Sequence, residues 1–179
     1  MITHELHNFL EDKVLGMLRH FGMCNHKEDK VKVIFAPCYL DGSDGLLNML
    51  YYNALIAKDL TVYPSYYEPW GYTPLESVAF KVPCITTDLA GFGLWANSIK
   101  CAYSEIEDGV KTIHRTDYNY SEVADAIKDT IIKYADFTPA QVKSARSAAE
   151  KLSKKALWKE FIKYYYEAYD LALRKVGHK

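Results

Sequence analysis

Residues 61–76 constrain the fold more than any other part of the chain. Thr61, Val62 and Tyr63 predict a short buried strand. Pro64 ends it, because proline has no N–H to give to an interior ladder. An aromatic loop at 66–72 follows and holds Glu68, Trp70 and Gly71. A helix is predicted to open at Thr73: threonine suits the N-cap, Pro74 the first helical position, and Glu76 completes a capping box. Glu68 and Glu76 therefore flank a helix N-terminus just beyond a strand end. Open α/β sheets bind ligands at that place. The N–H groups and positive dipole of the helix end favour an anion such as a phosphate.

The rest of the chain surrounds this unit with alternating elements. Residues 2–21 predict an amphipathic helix, with Leu6, Leu10, Val14, Met17, Leu18 and Phe21 at helical spacing. Residues 31–36 are β-branched and predict a strand ending at Pro37. The DGSDG run at 41–45 is turn chemistry. It lacks the spaced oxygen ligands and closing glutamate of a calcium loop. A helix at 46–57 precedes the central unit, and the helix opening at Thr73 runs to Phe80. Residues 82–87 predict a strand, 88–92 a loop with glycine-rich backbone at Gly91 and Gly93, and 109–114 another short strand. Helices follow at 122–134, from the Thr138–Pro139 cap to about Leu152, and at 156–175. In the last helix Trp158, Phe161, Ile162, Tyr165, Tyr169 and Leu173 lie near one stripe. The fold class is α/β: a Rossmann-like, mainly parallel sheet flanked by helices, with about four strands. One partial domain spans 1–179, with 120–179 as its helical C-terminal segment.

The string YPSYYEPWGYTPLE at 63–76 resembles the signature of the glycogen synthases of animals and fungi, which are retaining glycosyltransferases of the GT-B fold. Thr3 and His4, the helical run from Asp12 to Arg19, DKVKVIFAP at 29–37, TTDLAGFG at 86–93, and Leu157–Trp158 through Leu171–Arg174 resemble that family in the same order. The resemblance implies a donor-nucleotide-binding C-terminal domain acting on UDP-glucose to extend an α-glucan by α-1,4 linkage. Glu68 matches the glutamate beside the donor glucose, assigned the catalytic role. Tyr51 matches the tyrosine that stacks on uracil. The backbones of Gly71 and Tyr72 and the hydroxyl of Thr73 match the diphosphate contacts. Glu76 matches the acceptor for the ribose hydroxyls, and Trp70 shapes the glucose pocket. No metal and no cofactor is implied, because helix dipole and basic residues replace them. Each residue also has a structural reading: Glu76 as the capping-box partner of Thr73, worth about 1 kcal/mol, Tyr51 as a core tyrosine, and Trp70 as loop packing.

Two features depart from the resembled family. In the resembled family the C-terminal domain opens with a strand and glycine loop carrying a basic pair for the donor phosphates. These have no counterpart here, so the chain reads as a fragment that starts partway into that domain and also lacks the N-terminal Rossmann-like domain in cis. By itself it is expected to be inactive. Missing strands leave an apolar face through which a homo-oligomer can form. The family's arginine-rich, glucose 6-phosphate-binding helix corresponds to QVKSARSAAEKLSKK at 141–155, where Arg146 is the only arginine. No such activation is expected, and the sequence points to an unregulated, bacterial version.

Composition narrows the remaining classes. A net charge of −1 argues against nucleic-acid or anionic-membrane partners. There is no apolar run long enough to cross a bilayer and no signal-peptide pattern at Met1. Cys24, Cys38, Cys84 and Cys101 are dispersed, which favours reduced thiols in a cytoplasmic protein. His4, His7, His20 and His26 lie loosely near Cys24 without metal-ligand register. Of the 15 tyrosines, the run Tyr164, Tyr165, Tyr166 reads as helix packing. Two rival readings stay open: a retaining GT-B transferase with another donor (ADP-glucose) or acceptor, and a non-catalytic sugar-nucleotide-binding module.

Overall fold

A computed structural model describes residue 8, residues 11–100 and residues 103–177. The chain forms two compact units, Met1–Ala57 and Lys58–Lys179. The expectations on Thr3, His4, His7, Cys101 and the start of the first helix lie outside the described residues.

In the first unit, helix α1 spans Lys13–His20, capped by Asp12, whose Oδ1 accepts from the Leu15 N–H at 2.9 Å. Residues 31–36 were expected as a strand; among the described residues they form none, and only Phe35 holds a single bridge position. The Asn25 side chain takes both backbone groups of Val33, donating to Val33 O at 2.6 Å and accepting from Val33 N at 2.7 Å. The second helix also differs from expectation: α2 is Tyr51–Ile56 rather than 46–57. The Asp44 carboxylate accepts from the N–H groups of Leu46, Leu47 and Asn48 at 2.9, 2.6 and 2.9 Å, which holds a turn where the helix was expected. The 41–45 run is a turn, as its chemistry indicates, with Ser43 N bonded to Asp41 Oδ1 at 2.9 Å.

The second unit is α/β. Three parallel strands, β1 Thr61–Val62, β2 Cys84–Thr87 and β3 Val110–Ile113, lie side by side in the order β1-β2-β3. Helix α3 (Tyr72–Ala79) connects β1 to β2, and α4 (Gly91–Lys100) connects β2 to β3. Helices α5 (Tyr120–Ala135), α6 (Pro139–Ser153) and α7 (Trp158–Lys175) follow. Strand β2 is central and wholly buried, as a parallel strand covered on both faces must be. β1 was expected to be buried, but Val62 is exposed, because β1 is an edge among the described strands. Cys84 and Val110 meet Val78, Phe92, Ala96, Ala149 and Leu152 on one face of the sheet. Ile85 and Ile113 meet Val123 on the other. This is the Rossmann-like arrangement of parallel strands and covering helices.

Capping residues set the helix ends. Thr138 and Gln141 form a reciprocal capping box at the start of α6. Helix α4 is the element that sequence pattern missed: 88–92 was expected as a loop with flexible glycine backbone. Gly91 and Gly93 instead sit inside a helix because its backbone is pressed against the sheet. A Cβ on Gly91 would lie 2.2 Å from Pro69 O, and one on Gly93 2.1 Å from Thr87 O. Helix α7 keeps the expected aromatic stripe but buries none of it among the described residues. Tyr164, Tyr165 and Tyr166, read as packing, are exposed.

Thr86 and Thr112 are register partners on β2 and β3, both buried, and neither Oγ1 has a hydrogen-bond partner. A buried unpaired hydroxyl costs more than the methyl that replaces it. Thr112→Val is therefore expected to stabilise the chain by about 1 kcal/mol and raise Tm by about 2–4 °C. A comparable fall in Tm in a thermal melt would show that the hydroxyl is bonded in solution.

Candidate functional site

The candidate site lies at the carboxyl edge of the parallel sheet, where the segments after β1, β2 and β3 converge. The loop after β1 is stitched to the residues after β2. Tyr63 N donates to Ile85 O at 2.8 Å, Glu68 N to Leu89 O at 3.1 Å, Gly91 N to Glu68 O at 3.1 Å, and Phe92 N to Trp70 O at 2.6 Å. Glu68 and Ala90 form an isolated parallel bridge, so the glutamate stands on extended backbone that continues the sheet past a gap. Its side chain is half-buried.

The helix start differs from the expected one. Gly71, not Thr73, is the N-cap of α3, with φ +108° and ψ 81°. Glycine adopts that conformation without the Cβ penalty, so the chain turns into the helix two residues early. Pro74 then falls in the third helical position, where its missing N–H is still no loss. Pro74, not Glu76, consequently occupies the capping-box position, and among the described residues the N-cap makes no side-chain hydrogen bond. Tyr72 and Thr73 are exposed in the first turn, and Glu76 follows one turn later on the same face. Gly71 lies against the glutamate: a Cβ built on it would come within 3.4 Å of Glu68 Oε2. The structure thus brings Glu68, Gly71, Tyr72, Thr73 and Glu76 together at one uncapped, electropositive helix end.

Trp70 points into an aromatic cluster. Its ring centroid lies 6.1 Å from Phe92, 5.8 Å from Trp95 and 5.5 Å from Phe161. The cluster floors an aromatic groove of about 610 Å³, rimmed by Tyr72, Trp158, Tyr164 and Tyr165. Tyr51 belongs to the first unit, where it opens α2 and donates its N–H to Leu40 O at 3.0 Å, and its ring centroid lies 5.2 Å from that of Tyr52 with the planes tilted by 58°. Arg146, the one arginine of α6, reaches Lys58 O at 2.8 Å, Asp59 Oδ1 at 3.2 Å and Lys81 O at 3.4 Å. It ties the start of the second unit to α6.

Sequence reasoning missed a polar network beside Glu68. Asp88, just after β2, accepts from Arg115 N at 2.9 Å and from the Tyr103 hydroxyl at 3.1 Å, and lies 2.6 Å from His114 Nδ1. Partial desolvation, then the hydrogen bond to Asp88, push the Tyr103 phenol above its ordinary pKa and keep it a donor. The Arg115 guanidinium donates to Pro64 O at 2.5 Å and sits 5.2 Å from the Tyr66 ring centre. Thr87 Oγ1 donates to Ser65 O at 2.6 Å, and Ser65 Oγ to Glu68 Oε2 at 3.3 Å. These residues stand far apart in sequence and carry no shared spacing, so only the strand order reveals them. Among the described residues no group of three or more His, Cys, Asp and Glu gathers as a metal site. Cys24, Cys38 and Cys84 are thiols outside any disulfide, and burial pushes the Cys84 pKa up. No helix among the described residues is long and apolar enough to cross a membrane.

A carboxylate beside an uncapped helix end can act on a substrate that develops positive charge next to an anionic leaving group. Comparison with known proteins points the same way. A family model described as glycogen synthase matches residues 1–178. The chain is 32% identical over 175 residues to glycogen [starch] synthase isoform 1 of Saccharomyces cerevisiae, covering 98% of this chain and 25% of that protein. It is 31% identical over 175 residues to the Neurospora crassa glycogen [starch] synthase, covering 98% of this chain and 24% of the relative. For the liver glycogen [starch] synthase of Mus musculus the figures are 31% over 176 residues, 97% of this chain and 24% of the relative. The chain spans about a quarter of the length of the curated relatives it matches.

Proposed function

Since the chain belongs to the glycogen synthase family, we propose that it is the donor-binding part of a retaining α-1,4-glucosyltransferase of the GT-B type, which takes glucose from UDP-glucose and adds it to an α-glucan. The observation that carries this reading is the Glu68 carboxylate held beside the uncapped N-terminus of α3. Glu68 is the catalytic carboxylate beside the donor glucose, where it offsets positive charge growing at the anomeric carbon. The backbones of Gly71 and Tyr72 and the Thr73 hydroxyl hold the diphosphate, whose growing charge the α3 dipole stabilises. Glu76 accepts from the ribose hydroxyls, as a carboxylate can from two neighbouring donors. Trp70 forms the wall of the glucose pocket, and Tyr51 stacks on the uracil. The chemistry uses no metal and no cofactor.

The protein acts in the cytoplasm, in an unregulated form of bacterial type. An N-terminal Rossmann-like domain in cis supplies the acceptor side, the opening strand and glycine loop of the C-terminal domain supply the basic donor contacts, and the isolated 179 residues transfer nothing. The open aromatic stripe of α7 supports this reading, as apolar surface of that kind is normally covered. Arg146, held by Lys58, Asp59 and Lys81, supports the absence of glucose 6-phosphate activation.

The test is radiolabelled glucose transfer onto glycogen by the full-length protein that carries this chain, offered UDP-glucose and ADP-glucose in parallel. UDP-glucose is expected to be used and glucose 6-phosphate to leave the rate unchanged. Glu76→Ala is expected to raise the donor KM about tenfold, the scale of one lost charge-assisted contact. Transfer only from ADP-glucose, or an unchanged KM in the variant, would remove the uridine or the ribose assignment respectively.

A further inference from the structure

Glu68 has its backbone fixed by Leu89 and Gly91, yet a glutamate side chain retains three torsions beyond that anchor. Its carboxylate receives a hydrogen bond from the Ser65 hydroxyl, at 3.3 Å. We infer that Ser65 is a positioning residue for Glu68, and that Thr87 and Arg115 clamp Ser65 into the place from which it can act. The inference rests on the catalytic reading of Glu68 given above.

Two successive carbonyls, those of Pro64 and Ser65, are each bound by a side chain from a different part of the sheet edge. Arg115 holds the first at 2.5 Å and Thr87 the second at 2.6 Å. A loop at the surface could satisfy both carbonyls with water. Committing a guanidinium to a carbonyl instead gives the loop one conformation. The clamp is itself braced. Asp88 holds the Arg115 backbone with one oxygen, while Tyr103 and His114 occupy the other. Tyr66, under the guanidinium, donates its hydroxyl to Asp117. Every link from Asp88 to Ser65 is a hydrogen bond with a fixed partner, so the serine hydroxyl is presented to the carboxylate rather than free to turn away. The 3.3 Å separation is long for O–H···O, and catalytic contacts commonly tighten when substrate binds. A hydroxyl that donates to the carboxylate also fixes which face of it is left for the sugar.

The experiment measures kcat, donor KM, UDP affinity by calorimetry and Tm for the full-length protein and its variants. Ser65→Ala is expected to lower kcat about tenfold, or 1.36 kcal/mol. KM and UDP affinity should change less than about twofold, since positioning acts on the reacting step and not on uniform binding. Ser65→Thr keeps a hydroxyl and is expected to restore most of the rate. In a Glu68→Gln background Ser65→Ala is expected to add less than about twofold, because the charge that Ser65 positions has gone even though the amide oxygen remains. Arg115→Ala should lower kcat in the same direction without lost UDP affinity. An unchanged kcat in Ser65→Ala, a loss that Ser65→Thr does not restore, or a full tenfold loss on top of Glu68→Gln overturns the inference and leaves the catalytic reading intact. A wild-type protein that transfers no glucose from any donor overturns the catalytic reading, and this inference with it.

Discussion

Gly109→Ala is expected to leave the Lys58–Lys179 unit unfolded or destabilised by more than about 4 kcal/mol, a size reserved for a few mechanisms. Two of them coincide here. Gly109 has φ +86°, in the region that costs a side-chain-bearing residue about 1–2 kcal/mol. A Cβ on it would also lie 2.3 Å from Ala149 N, 2.5 Å from its Cα and 2.7 Å from its Cβ. The obstacle is α6 backbone, so no rotamer change relieves it. Moving α6 would open the cluster in which Ala149 and Leu152 meet Val78, Cys84 and Val110. Gly45→Ala is the control: its φ is +77°, but nothing lies within 4 Å of the added methyl, so only the strain remains. Urea melts of both variants separate the causes. Equal losses would show that the contact with α6 yields easily and that Gly109 is retained for its dihedral alone.

The same contrast explains what could be read from the chain before its structure. Periodicity and turn chemistry located β2, β3 and helices α5, α6 and α7 within a few residues, because buried strands and capped amphipathic helices have local signatures. The Thr138–Pro139 cap is a local pattern and forms as read, and the structure adds Gln141 as its reciprocal partner. Failure came where long-range geometry overrode local preference. Gly91 and Gly93 look like loop residues until Pro69 and Thr87 are seen to leave no room for a Cβ. Thr73 looks like an N-cap until Gly71 turns the chain first. In the β-branched run 31–36 no strand forms among the described residues, and the Asn25 side chain, eight residues away, binds both backbone groups of Val33.

The site divides along the same line. Glu68, Gly71, Tyr72, Thr73 and Glu76 lie within nine residues of one another, so a strand–loop–helix pattern sufficed to gather them. Thr87, Asp88, Tyr103, His114 and Arg115 come from three other segments, and Thr87, Asp88 and Arg115 meet Ser65 and its neighbours through the parallel register Thr86–Thr112 and Thr87–Ile113. No spacing rule links positions 65, 88 and 115. Tyr51, set in the Met1–Ala57 unit, was selected by resemblance and not by any local pattern.

Glu68→Gln is expected to lower kcat of the full-length protein by about three orders of magnitude, the scale found when one preorganised electrostatic contact to a transition state is removed. Glutamine keeps the shape and still offers an oxygen to Ser65, so the loop stitched to Leu89 and Gly91 should persist and Tm should hold. What disappears is the negative charge beside the site where the sugar becomes cationic. Binding of UDP should be little altered, because the helix end at Gly71 and Tyr72, not Glu68, faces the diphosphate in this reading. The decisive comparison is kcat against UDP affinity in one preparation. A large fall in kcat with affinity kept places the charge in the transition state, as interactions made only there lower the rate without weakening the ground-state complex. A variant that keeps a tenth or more of the wild-type rate would mean that the helix dipole alone carries the charge separation, and Glu68 would then be a structural bridge to Ala90 and nothing more.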